Sequence, residues 1–238
     1  MTADHPPREF SPTPVRVPCG DHWLHGDLGV PPSARGMVVF AHGSGSSRHS
    51  PRNKYVARVL DQAGFGTLLI DLLTTEEEVM DERTARLRFD INLLAGRLVG
   101  IVGWIRHDVM LLPIGLFGAS TGAAAALVTA AERPHEIAAI VSRGGRPDLA
   151  ETALSCVPAP TLLIVGSLDT AVIQMNRDAM AQMPGEVVLD IVPGATHLFE
   201  EPGALEQVAT LAAVWFGRYL EPVHPEHAHA VHAPSQHH

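Results

Sequence analysis

The feature that most constrains this chain is a regular alternation of short, almost wholly apolar runs with longer stretches of helical periodicity. Residues 37–41, 66–72, 114–117, 137–141, 161–165 and 187–192 read as strands; 53–63, 83–106, 122–132, 149–156, 172–183 and 204–219 read as helices. A strand that is apolar on both sides meets water on neither, so strands of this kind belong to a parallel sheet covered by helices on both faces. The expected class is α/β, doubly wound. Residues 15–17 and 23–30 add an antiparallel opening pair around Cys19-Gly20-Asp21, ended by Pro31-Pro32. A length of 238 residues, 46% of them hydrophobic, suits one such domain over 15–220. Residues 1–14 are expected to be a flexible start. Residues 221–238 are expected to be a disordered tail, because His224, His227, His229, His232, His237 and His238 lie among prolines and alanines without periodicity.

Charge and composition narrow the functional classes. With 26 acidic and 17 basic residues the net charge is −9, which gives no general attraction to a phosphate backbone, so nucleic acid is not an expected partner. The N-terminus has no apolar core behind basic residues, and no apolar run approaches the ~18 residues of a membrane span. A soluble, cytoplasmic protein with no membrane partner is expected. Cys19 and Cys156 fall in different elements and read as packing thiols, not as a disulfide or a metal pair. Imidazoles at the tail's spacing are metal-ligand chemistry, yet a flexible tail or an expression remnant accounts for them, and no metal or cofactor is expected.

The string Gly118-Ala119-Ser120-Thr121-Gly122 matches G-x-S-x-G, a turn in which a strand hands over abruptly to a helix and holds the serine at its apex. The glycines answer a steric need, since side chains two positions either side of the apex would collide across so sharp a turn. The context fits, because 114–117 leads in and Ala123–Ala126 leads out. A serine hydroxyl is a weak nucleophile until a base takes its proton, so a histidine and an orienting acid are required.

In the fold built around this turn the partners follow in chain order serine, acid, histidine. Before the tail, only His135 and His197 follow Ser120, and His135 sits beside Pro134 at the far end of the next helix. His197, in Pro193-Gly194-Ala195-Thr196-His197, lies just past a strand, where a loop can carry it over the carboxyl edge of the sheet. Asp169 leaves the neighbouring strand at that edge and is the preferred acid, with helix N-capping as its alternative duty. Asp148 is the runner-up; Asp190 lies within a strand.

Acyl transfer also needs donors where the carbonyl oxygen becomes negative. The loop His42-Gly43-Ser44-Gly45-Ser46-Ser47 can approach a substrate closely, and the expected donors are the backbone N–H groups of Ser44 and of Thr121, with His42 bracing the loop. The phosphate-cradle strings G-x-x-x-x-G-K-[ST] and G-x-G-x-x-G are absent. Arg48, Arg52, Arg143 and Arg146 could form a cationic rim that binds an acidic ester or lactone, or could be surface arginines paired with carboxylates.

Together, His42-Gly43-Ser44-Gly45-Ser46-Ser47-Arg48-His49-Ser50-Pro51-Arg52-Asn53, Gly118-Ala119-Ser120-Thr121-Gly122, Ser142-Arg143-Gly144-Gly145-Arg146-Pro147-Asp148-Leu149 and Pro193-Gly194-Ala195-Thr196-His197-Leu198-Phe199 resemble the dienelactone hydrolase-like branch of the α/β-hydrolases over 15–220. The resemblance implies an eight-stranded sheet, and places nucleophile, acid and base at Ser120, Asp169 and His197. Dienelactone hydrolases proper use a cysteine nucleophile, so the serine here points to another small ester or lactone. Chains of this branch also resemble modules joined to phosphoribosyltransferases; a hydrolase module alone is expected over these residues. The same triad could run perhydrolysis or acyl transfer, and a hydrolase fold kept as a binding module is the reading from another class. The short connection 142–159 leaves no room for a large cap, while the acidic stretch 74–82 could act as a lid of different origin.

Overall fold

The structure is a computed structural model that describes residues 10–221. Expectations for 1–9 and for the histidine-rich tail from 222 onward lie outside the described residues.

The chain opens with the antiparallel pair β1 (Thr13–Cys19) and β2 (His22–Gly29), β1 beginning two residues before the expected point. It continues as β3 (Met37–Ala41), α1 (Pro51–Gln62), β4 (Gly66–Ile70), α2 (Thr75–Thr84), α3 (Ile91–Trp104), β5 (Ile114–Ala119), α4 (Thr121–Glu132), β6 (Ile137–Arg143), β7 (Thr161–Gly166), α5 (Thr170–Met180), β8 (Val187–Val192) and α6 (Ala204–Tyr219). The eight strands form one sheet in the order β1-β2-β4-β3-β5-β6-β7-β8, parallel from β4 onward along that order. β2 runs antiparallel to β4.

Each central strand is buried along its whole length, as its two-sided apolar sequence requires. One face packs Val38, Phe40, Phe117 and Val141 against α1 and α6 through Val56, Leu60, Val208 and Phe216. The other packs Val39, Leu68, Leu116 and Ile140 against α3 and α4 through Leu98, Ile101, Ala124 and Leu127. Burying each large side chain contributes about 1.5–3 kcal/mol. Strand order reverses at β3: the chain passes from β3 to β4 on one side, then crosses back to β5 on the other. α1 after β3 and α4 after β5 therefore leave toward opposite faces, and the gap between their starts is where such sheets take ligands.

Two expected helices differ. The stretch 83–106 is divided: α2 starts earlier at Thr75 and stops where Ala85 turns left-handed (φ 50°), a short 3-10 turn covers Leu87–Phe89, and Asp90 caps α3 by accepting from the Leu93 amide (3.0 Å). Residues 147–156 form 3-10 turns broken at Glu151 (φ 48°). That break buries Leu154 but leaves Cys156 exposed, so Cys156 is not the packing thiol its apolar neighbours suggested. The connection from β6 to β7 holds only these turns, with no cap. Among the described residues no helix is long and apolar enough to cross a membrane.

Candidate active site

Ser120 sits between β5 and α4 with φ 50° and ψ −121°, a conformation that side chains rarely adopt and that costs of order 1–3 kcal/mol. The flanking glycines are sterically compulsory. A Cβ on Gly118 would lie 2.4 Å from Ala123 Cα, and one on Gly122 would lie 2.2 Å from the Ala41 carbonyl oxygen. The second contact shows that the elbow is wedged backbone-to-backbone against the end of β3. The loop after β3 then crosses the serine itself, since a Cβ on Gly43 would be 3.0 Å from Ser120 Cβ.

Asp169 and His197 come together from the ends of β7 and β8: His197 Nδ1 is 2.6 Å from Asp169 Oδ2. This bond fixes the tautomer, with Nδ1–H donated to the carboxylate and Nε2 left as the basic nitrogen. Asp169 stands at the N-cap position of α5 but its side chain makes no capping bond, so the N-cap alternative for this carboxylate fails. Asp148, the rival acid, is held in two bonds from Arg146 (2.9 and 2.7 Å). Ser120 and His197 flank one turn: the Ser120 amide donates to the Arg143 carbonyl (3.3 Å), and a Cβ on Gly144 would be 3.5 Å from the His197 ring. No hydrogen bond joins the Ser120 hydroxyl to the imidazole in this structure; such bonds commonly tighten only with substrate bound.

The expected oxyanion donors meet at the start of α4. The Ser44 amide is not free but donates to Thr121 Oγ1 (3.0 Å), so that hydroxyl occupies the donor a substrate oxygen would need. The Thr121 amide opens the helix. His42 braces the loop as expected: Nε2 accepts from the Leu72 amide (3.1 Å) and Nδ1 donates to the Gly43 carbonyl (3.0 Å). Burial lowers its pKa, partly offset by the Gly43 bond and by Asp71, so it stays neutral.

Three of the four rim arginines pair with carboxylates. Arg48 donates to Asp71 from its amide (2.7 Å) and its guanidinium, Arg52 pairs with Glu200 (3.1 Å), and Arg146 pairs with Asp148. Carboxylates thus take up part of the donors of these three, the alternative that the sequence had left open, while Arg48 Nε and Arg52 Nε stay buried without a hydrogen-bond partner. Arg143 instead is buried, at 8% exposure.

A half-open cavity of about 400 Å³ lies beside the oxyanion loop, lined by His42–Ser47, Leu94 and Thr121 and bordered by Glu78, Asp81 and Glu82 of α2 and by Arg88; Thr121 brings it next to Ser120, which like His197 does not itself line it. Asp81, 3% exposed, accepts from Arg88 Nε (2.5 Å) and from the Leu87 amide (2.7 Å), and Arg97 of α3 holds Glu77 (2.7 Å). Glu78, Asp81 and Glu82 of the acidic stretch 74–82 thus form one side of the cavity. Arg88 and Asp81 were not found from the sequence; the readable signal was Thr74-Thr75-Glu76-Glu77, a capping box that both bonds now complete (2.8 and 3.2 Å). Among the described residues no group of three or more His, Cys, Asp or Glu could hold a metal ion.

No family model matches the chain. A crystal structure of a dienelactone hydrolase from Anabaena variabilis is 59% identical with a TM-score of 0.88, covering 90% of this chain and all of that one. Est1E from Butyrivibrio proteoclasticus has a TM-score of 0.73 at 16% identity, over 86% of this chain and 98% of that one, and shows the fold alone. A Mycobacterium tuberculosis protein provisionally named a phosphoribosyl transferase is 57% identical over 220 residues, 92% of this chain. The chain spans about half the length of that relative, 48%. The elbow at Ser120, the sheet order and the full-length match to the Anabaena protein lead to one conclusion: the chain belongs to the dienelactone hydrolase-like branch of the α/β-hydrolases.

Proposed function

We propose that this chain hydrolyses small carboxylic esters or lactones through Ser120, His197 and Asp169. The observation that carries the reading is the 2.6 Å bond from His197 Nδ1 to Asp169 Oδ2 at the same sheet edge as a serine held at φ 50°. Nε2 of the neutral imidazole takes the Ser120 proton as Oγ attacks the ester carbonyl. The tetrahedral oxyanion is held by the Thr121 amide, favoured by the α4 dipole, and by the Ser44 amide once it exchanges the Thr121 hydroxyl for the substrate oxygen. His197, now protonated, gives its proton to the leaving alkoxide, leaving an acyl-Ser120 ester. Water, deprotonated by Nε2, then releases the acid and restores the serine.

A cavity of about 400 Å³ walled by α2, with no cap domain above it, supports short acyl groups or compact lactones. The wall carries Glu78, Asp81 and Glu82 against Arg88, so nothing there favours an anionic acyl group. The test is turnover of p-nitrophenyl acetate by the wild type and by Ser120→Ala. Loss of turnover in a folded variant is expected; equal rates would overturn the proposal.

A further inference from the structure

Arg143 is the last residue of β6, and its side chain has no use in the chemistry above. Ala139 and Val141 face α1 and α6, and alternation along the strand directs Arg143 to the same face, at the edge where α1 begins. The residue is 8% exposed, and its Nε and Nη1 are buried without a hydrogen-bond partner. No carboxylate pairs with it among the described residues. The charge it feels is that of Arg52, the second residue of α1; burial and this like charge pull its pKa down to about 10, which still leaves it cationic at neutral pH. Arg52 has a buried, unpartnered Nε of its own, while its Nη1 reaches the exposed Glu200.

A buried guanidinium beside a second one, at the positive end of a twelve-residue helix, is a costly arrangement unless an anion completes it. Guanidinium N–H pairs are the donors that oxyanions of phosphorus take, and at the start of α1 the Arg52 amide adds to them, since Pro51 has no N–H and Ser50 takes the Asn53 and Lys54 amides. We propose that Arg143, Arg52 and the start of α1 form a phosphate-binding site, filled either by free phosphate or by a phosphate group carried on the ester. The second source is within reach. The Arg143 carbonyl accepts from the Ser120 amide, and Gly144 lies against His197. Only that second source rests on the hydrolase reading; the site itself does not.

The experiment is calorimetric titration and thermal unfolding of Ser120→Ala with inorganic phosphate, at ionic strength held constant with sodium chloride. One saturable site per chain and a Tm raised by several degrees are expected. Arg143→Met should abolish both while raising the phosphate-free Tm, because it removes an uncompensated buried charge. If that variant fails to fold, Arg52→Gln should still weaken phosphate binding about ten-fold or more. An unsaturable Tm rise shared by parent and variants is the excluded-solute effect of phosphate and would overturn the site, as would no binding. To separate the sources, a short ester and the same ester bearing a phosphate are compared in the Ser120 protein. A preference of about ten-fold or more for the phosphorylated ester, lost in Arg52→Gln, assigns the group to the substrate; equal rates with saturable phosphate binding assign it to the free ion.

Discussion

The two sides of the crevice are built on different principles. On the side of the proposed triad, backbone wedges against backbone: Gly118, Gly122 and Gly43 each stand where a methyl group would crowd main-chain atoms, and Ser120 is held at φ 50° within that packing. On the α2 side, polar side chains hold the wall: Glu77 to Arg97, Asp81 to Arg88, and the box at Thr74. The outer surface of that wall leaves Val79, Met80 and Phe89 exposed. Close packing tolerates no change of volume, whereas the wall is fixed by a few side-chain bonds to the buried Asp81 and Arg97, each of which fails when one partner is removed. The first arrangement suits groups that must be positioned within a fraction of an ångström; the second suits a wall that admits substrate.

The largest effect that would break this contrast concerns the acid. Asp169→Asn should lower kcat about 10⁴-fold through loss of the correct imidazole tautomer, while Asp148→Asn, which only unpairs Arg146, should change kcat little. The reverse pattern in steady-state kinetics would move the acid to β6's loop. Next in size, Gly122→Ala should destabilise the fold by about 3 kcal/mol or more, since its Cβ would sit 2.2 Å from the Ala41 carbonyl oxygen. Glu82→Ala, on the exposed wall, should stay within about 0.5 kcal/mol. Urea unfolding measures both, and similar losses would erase the distinction.

A smaller effect sharpens the account of the wall. Wild-type kcat/KM on p-nitrophenyl esters should peak near acetate to butyrate, because a pocket that stops early forfeits the ~0.8 kcal/mol of each further buried CH₂. Glu77→Ala removes the bond to Arg97 and should shift the optimum toward longer chains; a series rising steadily to decanoate in the wild type would show that the wall does not limit the pocket. The smallest effect is a pH dependence on the packed side. The pKa of His42 is lowered by burial, so the unfolded chain takes up its proton first as pH falls. Stability from this residue is complete above about pH 6.5, the unfolded value, and is lost as pH falls through the lower folded value. In His42→Gln the acid limb of Tm against pH should flatten, and an unchanged limb would show that His42 is not the group responsible.

What the sequence revealed follows the same division. The strands, the elbow and the positions of Ser120, Asp169 and His197 were readable because each is dictated by local chemistry: two-sided apolarity, glycines at fixed offsets, loops just past strand ends. The start of α2 at Thr75 was missed although Thr74 and Glu77 spelled it, because the acidic run 75–78 has no apolar face to give a period. The arginines exposed a different limit. Asp148 is a local partner two residues from Arg146, but nothing local showed that Asp71 and Glu200, brought by other loops, would take Arg48 and Arg52 while Arg143 was left alone.

The central claim is that Ser120 is an activated nucleophile, and reaction with a fluorophosphonate tests it most directly. The wild type should be labelled stoichiometrically at Ser120, His197→Ala should react far more slowly while remaining folded, and Ser120→Ala should not react. A folded wild type that resists the probe, or label recovered on another residue, would contradict the account.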